Sequence, residues 1–388
     1  MKLLVSCIPY DSGKSGISAY VREVVRALRD QGHELTLLVE PSGGPPSSAA
    51  EADAQERVPS VIRAPHWTRR PALSMLWHLL FLPFWIRRRR RDFDGFVICA
   101  ANRRVCAWYP LPTVATIHDL ANFHVPGKYS RLRMFYLAHV LPHFAKKAHR
   151  LVAVSGATKA DMVRFWGCRD THVTVLYNGL VPRATCLVPG AELKRQDLNE
   201  SIALGTRHQA LGTILYISRI EHPGKNHVRL IEAYGRLPRT LAEAHLLVLA
   251  GADWKEADVV HAAAARSPHA DLIRFTGFVD DIEKVWTEAG FYVFPSLFEG
   301  FGLSLVEAMA RGIPCACSNN GSLGEIAGDV AITFDPESVD GIAAALERLL
   351  AEPEQERADR VVRGLEHVKK FSWKDHAAGL VRLLEGVA

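Results

Sequence analysis

Thr213-Ile-Leu-Tyr-Ile-Ser-Arg219-Ile-Glu-His-Pro-Gly-Lys225-Asn226 runs from an apolar, strand-like segment into a glycine turn flanked by two cations. A second stretch, Glu299-Gly-Phe-Gly-Leu-Ser-Leu-Val-Glu307, puts carboxylates on either side of a glycine loop that opens a helix. Cations, loop amides and a helix N-terminus together suit a diphosphate. Carboxylates suit sugar hydroxyls. One half of the chain therefore provides for both halves of a nucleotide-sugar.

Working outward, short apolar runs alternate with amphipathic helical stretches. Strands are predicted at 3–7, 35–39, 96–99, 113–117, 151–154 and 173–176. After a polar stretch at 182–209, more are predicted at 214–217, 246–250, 273–276, 292–294, 314–317 and 331–334. Continuous apolar strands spaced by helices imply parallel sheets covered on both faces. Two such series predict an α/β chain of two doubly wound domains, with a ligand cleft at the carboxyl ends of their strands. The segment 41–55 reads as a Pro/Gly/Ser loop within the first domain.

The 388 residues suffice for two domains with buried cores. The net charge of +5 is small, and one run supplies five arginines, so the broad basic surface of a nucleic-acid binder is absent. The seven cysteines are scattered and odd in number, without a Cys-x-x-Cys pair. They read as reduced thiols of a cytoplasmic protein. Residues 1–8 have too short an apolar run for a signal peptide and read as a first buried strand.

One segment breaks the rhythm. Trp77-His-Leu-Leu-Phe-Leu-Pro-Phe-Trp85-Ile leads into Arg87, Arg88, Arg89, Arg90 and Arg91. It falls short of the roughly 20 apolar residues that span a bilayer. Trp beside a polybasic run fits a helix lying on an anionic membrane. A core helix with a solvated basic end fits equally, and Pro83 interrupts the run.

Other motifs are weaker. Asp11-Ser-Gly13-Lys-Ser-Gly16 lies between the first strand and a helix at 17–30, where glycine permits close approach to a phosphate or sugar. It is neither a dinucleotide fingerprint nor a Walker A loop, and a plain strand-to-helix turn fits as well. Asp92-Phe-Asp94 resembles a metal-holding Asp-x-Asp, but its acids read better as partners of the arginines or as a strand start. Ser304 and Glu307 have capping-box spacing, which would explain Glu307 without a ligand. Glu299 has no such explanation. His118-Asp119 closes a strand at its carboxyl end, as an active-site pair or a loop cap.

With these residues in place, the chain resembles glycosyltransferase family four, retaining enzymes of the GT-B fold: two Rossmann-like domains facing a central cleft. The likeness rests on Ser218 to Asn226 with Glu299-x7-Glu307. It extends through Gly13–Gly16, Thr116-Ile-His-Asp-Leu120, Val152-Ala-Val-Ser155, Tyr177-Asn-Gly179, Thr276-Gly-Phe-Val279, Pro295-Ser-Leu-Phe-Glu-Gly-Phe-Gly302 and Gly321-Ser-Leu-Gly-Glu-Ile-Ala-Gly328. The last phrase, continued into Phe334-Asp-Pro336, is similar to mannosyl- and rhamnosyltransferases of bacterial surface polysaccharides. Many relatives have proline where this chain has Ser304, and Pro223-Gly224 alters the usual spacing before Lys225.

The resemblance implies that Arg219 and Lys225 grip the donor diphosphate, with Asn226 alongside. Glu307 would take the ribose and Glu299 the transferred sugar. Amides of Gly300, Phe301, Gly302 and Leu303 would hold sugar and phosphate, and Phe278 and Val279 would frame the base. Gly16 would touch the diphosphate, and His118 would sit near the sugar. No metal and no cofactor is expected. The expected partners are the nucleotide-sugar donor, a lipid-linked or oligosaccharide acceptor and an anionic membrane surface. Trp77, Trp85 and the five arginines would face that membrane, on its cytoplasmic side. The expected divisions are an acceptor-side domain at 1–185, a linker at 186–210, a donor domain at 211–368 and a helix at 369–388 returning to the first domain.

Two rivals remain. A dinucleotide-dependent oxidoreductase is disfavoured by the missing Gly-x-Gly-x-x-Gly and following acid. A non-catalytic nucleotide-sugar sensor at the membrane would need the same residues.

Overall fold

The computed structural model describes residues 1–8, 10, 15–44, 46, 59–125, 130–180 and 212–387. Gly13, Cys186, most of the 41–55 loop and the 186–210 segment lie outside the described residues. The chain divides into two compact units. Unit 1 comprises Met1–Asn122, Tyr129–Gly179 and Phe371–Ala388; unit 2 comprises Phe123–Lys128 and Leu180–Lys370.

Unit 1 is built on seven strands: β1 (Lys2–Ser6), β2 (Glu34–Val39), β3 (Ser60–Arg63), β4 (Gly95–Ile98), β5 (Thr113–Ile117), β6 (Arg150–Ala153) and β7 (Val173–Val175). They pair in parallel in the order β3-β2-β1-β4-β5-β6-β7. The order reverses between β1 and β4, the switch point of a doubly wound sheet. β3 does not register in the apolar pattern. It is an edge strand, paired only to β2 and largely exposed, so nothing forces its residues to be apolar.

The helices of unit 1 begin where serine can cap them. Ser15 accepts from the Ser18 amide at the start of Gly16–Asp30, and Ser155 from the Thr158 amide at the start of Gly156–Trp166. Tyr20, Val24 and Leu28 recur every four residues and are buried. The C-terminal helix Trp373–Glu385, capped by Ser372, packs beside Gly16–Asp30. It can lie close because Gly95 faces it and Gly379 lies within it: a β-carbon on Gly95 would meet Leu384 at 3.0 Å, and one on Gly379 would meet Leu176 at 2.6 Å.

Residues 71–91 do not form one regular helix. Pro71–Leu76 is α-helical, Trp77–Phe81 is a π-turn and Leu82–Arg88 is α-helical again. Pro83 lies in the first turn of the last piece, where its missing N–H leaves no helix bond broken.

Unit 2 repeats the plan with β8 (Thr213–Ile217), β9 (Leu246–Ala250), β10 (Ile273–Phe275), β11 (Phe291–Phe294), β12 (Cys315–Ser318) and β13 (Ile332–Phe334). Their parallel order is β10-β9-β8-β11-β12-β13, so the switch point falls between β8 and β11. Among the described residues all six cysteines are free and buried, and no helix is long and apolar enough to cross a membrane.

Gly179 shows how tightly the C-terminal helix is seated. A β-carbon there would lie 2.2 Å from the Trp373 backbone nitrogen. Backbone cannot rotate away as a side chain can. Gly179→Ala is therefore expected to destabilise unit 1 by about 1–3 kcal/mol or more. Thermal unfolding measures this, and an unchanged Tm would contradict it.

Candidate functional site

The two sequence stretches that suit a nucleotide-sugar occupy the switch point of unit 2. The loop after β8 carries Arg219 and Lys225; the loop after β11 carries Glu299. An ion pair joins them, with the Lys225 ammonium 2.6 Å from Glu299 Oε1 and both side chains mostly buried. Burial alone would depress the lysine, but the Glu299 carboxylate outweighs it and holds the Lys225 pKa above its ordinary value. Lys225 is a fixed cation at any physiological pH.

The cation loop is tied down on both sides. The Tyr216 hydroxyl donates to the Lys225 carbonyl at 3.0 Å and lies 3.0 Å from Ser296 Oγ. Burial pushes the Tyr216 phenol up to about 12, so it stays a donor. The Leu297 amide donates to Gly224 O. On the other flank, the Ile220 amide donates to Ala252 O and the Trp254 amide to Ile220 O. This close approach requires Gly251, where a β-carbon would lie 1.9 Å from Ser218 O. Buried His227 donates from Nδ1 to Glu221 O at 3.2 Å, and its Nε2 lies 3.1 Å from Ser218 Oγ. Desolvation lowers its pKa to about 4, so the ring is neutral there.

Arg219 is half exposed. Its guanidinium lies 3.3 Å from Glu221 and over the Trp254 ring at 5.1 Å. Trp254 is 61% exposed, as is Phe278 at 60%, after the adjacent strand β10. Val279 follows it, half-buried.

Beyond Glu299, the chain enters the helix Leu303–Ala310 through Gly302 at φ +98°. Gly302 is the N-cap, and its carbonyl accepts from the Leu305 amide. The capping-box expectation is therefore corrected. Ser304 is already inside the helix, and its Oγ accepts from the Tyr292 hydroxyl at 2.7 Å. Glu307 lies a full turn in, away from the N-cap. The Glu299 carbonyl accepts from both the Ser322 amide and hydroxyl, which anchors the Gly300-Phe301 turn against the next loop.

Asn226 also needs correction as a donor-binding side chain. It is 2% exposed, and its amide donates to Pro295 O at 2.9 Å and Pro336 O at 2.7 Å. Its Oδ1 accepts from Arg229. It bridges the two loops from below and sits at φ +60°.

In unit 1, Gly16 opens the first helix behind Ser15, and His118 follows β5 at 8% exposure. His118 Nε2 lies 2.7 Å from Cys99 O, and burial lowers the pKa of the ring. Asp119 Oδ1 accepts from the Ala121 amide, so its side chain caps the loop. Asp94 accepts from the Lys2 amide at 2.7 Å and fastens the start of β1; among the described residues no cluster of three acids, histidines or cysteines could hold a metal.

Residues 14–183 match the family model Glycosyltransferase Family 4, and residues 207–363 match Glycosyl transferases group 1. Over 97% of each chain, this one is 27% identical to O-antigen chain mannosyltransferase B of Escherichia coli. The chain belongs to glycosyltransferase family four. This glycosyltransferase is also 25% identical to the phosphatidyl-myo-inositol mannosyltransferase of Mycolicibacterium smegmatis, over 96% of its own length and 90% of the relative's. HepE of Anabaena, solved in complex with UDP and glucose, superposes with a TM-score of 0.70 at 18% identity, covering 99% of both chains. The two parallel sheets are those of the GT-B fold.

The residues expected to face a membrane separate. Trp77 is 8% exposed and packs inside unit 1, on the same helix face as buried Ser74 one turn earlier; it is corrected as a surface anchor. Trp85 is half-buried under the Arg89 guanidinium, 4.7 Å from the ring. Arg87, Arg88, Arg89, Arg90 and Arg91 are all exposed. The apolar side chains that do face outward are Leu73, Leu76, Leu80, Phe81 and Phe84, which the reading of the sequence did not single out. Trp254 was likewise missed, since a lone Trp in a loop carries no motif.

The bridging role of Asn226 is testable. Asn226→Ala would leave two buried carbonyls unpaired and put alanine at a left-handed φ, a loss of about 2–4 kcal/mol. A falling Tm is expected. Unchanged stability with weakened nucleotide binding would return Asn226 to the ligand.

Proposed function

We propose that the chain is a retaining, metal-independent hexosyltransferase. It would move mannose from GDP-mannose to a lipid-linked or saccharide acceptor in bacterial surface polysaccharide synthesis. The observation that carries this is the Lys225–Glu299 pair at the switch point of unit 2, flanked by Arg219. Its mannosyltransferase relatives support the choice of sugar. In this reading the diphosphate leaves with growing negative charge, which Arg219, Lys225 and the amides of Gly300, Phe301 and Leu303 stabilise without reorganising. The phosphate draws on Lys225 as Glu299 turns to the sugar hydroxyls. Glu307 accepts from the ribose, Phe278 and Val279 flank the base, and Trp254 adds an aromatic face. Gly16 and His118 contribute to the diphosphate and the sugar, and the acceptor attacks on the face from which the phosphate departs.

The deciding experiment is turnover across a panel of nucleotide-sugars with a lipid-linked acceptor. GDP-mannose is expected to react, in EDTA as in magnesium. Arg219→Ala and Lys225→Ala should each lose about 100-fold or more in kcat, as when one oxyanion donor is removed. Near-normal rates in both would dismiss the site, and binding without turnover would favour a sensor.

The same reading places the enzyme on the inner face of the cytoplasmic membrane. The outward apolar residues Leu73, Leu76, Leu80, Phe81 and Phe84 adjoin the five arginines. Arg87 and Arg90 also line an open cavity of about 290 Å³ with Trp108, Tyr109 and Pro110. Each arginine near an anionic surface contributes about 1 kcal/mol, screened by salt. Replacing all five with glutamine is expected to release the protein from anionic vesicles while sparing activity on a soluble acceptor. Unaltered co-sedimentation would make the segment a solvated helix end.

A further inference from the structure

The core of unit 1 holds an array of buried polar groups around His118 that the donor chemistry does not use. The Tyr20 hydroxyl lies 2.9 Å from Thr116 Oγ1 and 2.8 Å from His376 Nε2. His376 Nδ1 lies 2.9 Å from the Tyr177 carbonyl. Tyr20, Thr116 and His376 are all buried. Tyr20 comes from the first helix, Thr116 from β5 and His376 from the C-terminal helix, so three distant segments meet at one hydroxyl.

The direction of every proton follows. A carbonyl only accepts, so His376 Nδ1 carries hydrogen. Desolvation lowers the His376 pKa to about 4, so its Nε2 keeps a lone pair at neutral pH. Tyr20 therefore donates to Nε2, and the Tyr20 oxygen accepts from the Thr116 hydroxyl. The same logic applies to His118: its Nε2, 2.7 Å from Cys99 O, carries hydrogen, which leaves Nδ1 as the acceptor of the neutral ring.

Tyr20 also sets the His118 ring. The two rings meet edge to face at 87°, with centroids 4.6 Å apart. The far side of Tyr20 is closed by Trp373 at 5.6 Å and His376 at 5.2 Å. Tyr20 cannot shift without breaking its bond to His376, and His118 cannot tilt without displacing Tyr20.

We infer that His376 is a positioning residue for the transfer reaction: acting through Tyr20, it holds the His118 ring in the rotamer whose Nε2–H reaches the Cys99 carbonyl, and so keeps the tautomer that presents Nδ1 to a sugar hydroxyl. The inference rests on the proposed role of His118. It draws the C-terminal helix into the catalytic apparatus, although the family matches end at residue 363.

The test compares His376→Leu, His376→Gln and Tyr20→Phe in the full-length enzyme. Readouts are kcat and KM with GDP-mannose, affinity for GDP, Tm, and the nitrogen NMR signature of His118. Leucine abolishes the acceptor at Nε2, whereas the glutamine carbonyl restores one. His376→Leu is expected to lower kcat about 10- to 100-fold, the scale of a small misplacement at a reacting centre. GDP affinity should hold, and the His118 spectrum should change from one tautomer to a mixture. His376→Gln should recover most of both. Tyr20→Phe keeps the ring, removes both bonds and should act as leucine does, which covers a leucine variant that fails to fold. Wild-type kcat with an unchanged His118 spectrum in Tyr20→Phe and His376→Leu would overturn the inference. So would a fall in Tm and kcat together without a spectral change, the mark of a merely structural role. His118→Ala separates the layers: if it turns over normally while His376→Leu still scrambles the tautomer, the role of His118 fails and the relay stands.

Discussion

A lysine ammonium and a glutamate carboxylate 2.6 Å apart, where the strand order of the second sheet reverses, constrain everything around them. Two charges out of bulk water are tolerated only as a pair, and removing one leaves the other uncompensated, at about 3–5 kcal/mol when fully buried. The loops after β8 and β11 must therefore keep a fixed separation. In the proposed function, an arriving diphosphate would replace the carboxylate as the partner of Lys225 without that cation ever being solvated. On that proposal the protein holds the positive charge ready, and binding would exchange one anion for another.

Such a pair is only as precise as its supports. Lys225 is held through its own backbone, by the Tyr216 hydroxyl, and the next residue, Asn226, reaches Pro295 O beneath the Glu299 loop. On the far side, Glu299 is held by its carbonyl through Ser322. The charged tips stay available because the main chain is what the structure grips. Glycine makes this possible at Gly251 and Gly321, where β-carbons would lie 1.9 Å from Ser218 O and 2.8 Å from Glu299 O.

How far the sequence could be read follows the same physics. Among the described residues, twelve of the thirteen strands were legible, because parallel strands covered on both faces must be continuously apolar. β3 was not: of the four edge strands it is the most exposed, with three of its four residues open to solvent, so it escapes that demand. The two charged motifs were legible because charges beside glycines have few structural reasons to exist. What failed was the assignment of direction. Asn226 looked like part of the cation motif and faces inward. Ser304 and Glu307 had capping-box spacing, yet Gly302 starts the helix two residues earlier. Trp77 belonged to an aromatic run, but it falls on the buried face of its helix with Ser74. Spacing along a chain gives neighbours; it does not give the rotation about the helix axis or the residue at which a helix begins.

Unit 1 holds the side chain proposed to meet the sugar by another means. His118 has no buried charge to anchor it. Its orientation comes from a neutral network in which every bond has a fixed donor and acceptor: Thr116, Tyr20, His376 and the Tyr177 carbonyl in one chain, His118 and the Cys99 carbonyl in another. In a dry core such a network has a single low-energy proton arrangement, because reversing any bond would strand a carbonyl against a lone pair. Neutrality is the requirement, and burial supplies it by depressing both imidazoles. A carboxylate in place of either histidine would hold a charge there without a counter-ion. That explains in physical terms why histidines at both ends of the network frame a single tyrosine, and why the helix carrying the second must be seated as closely as Gly179, Gly95 and Gly379 allow.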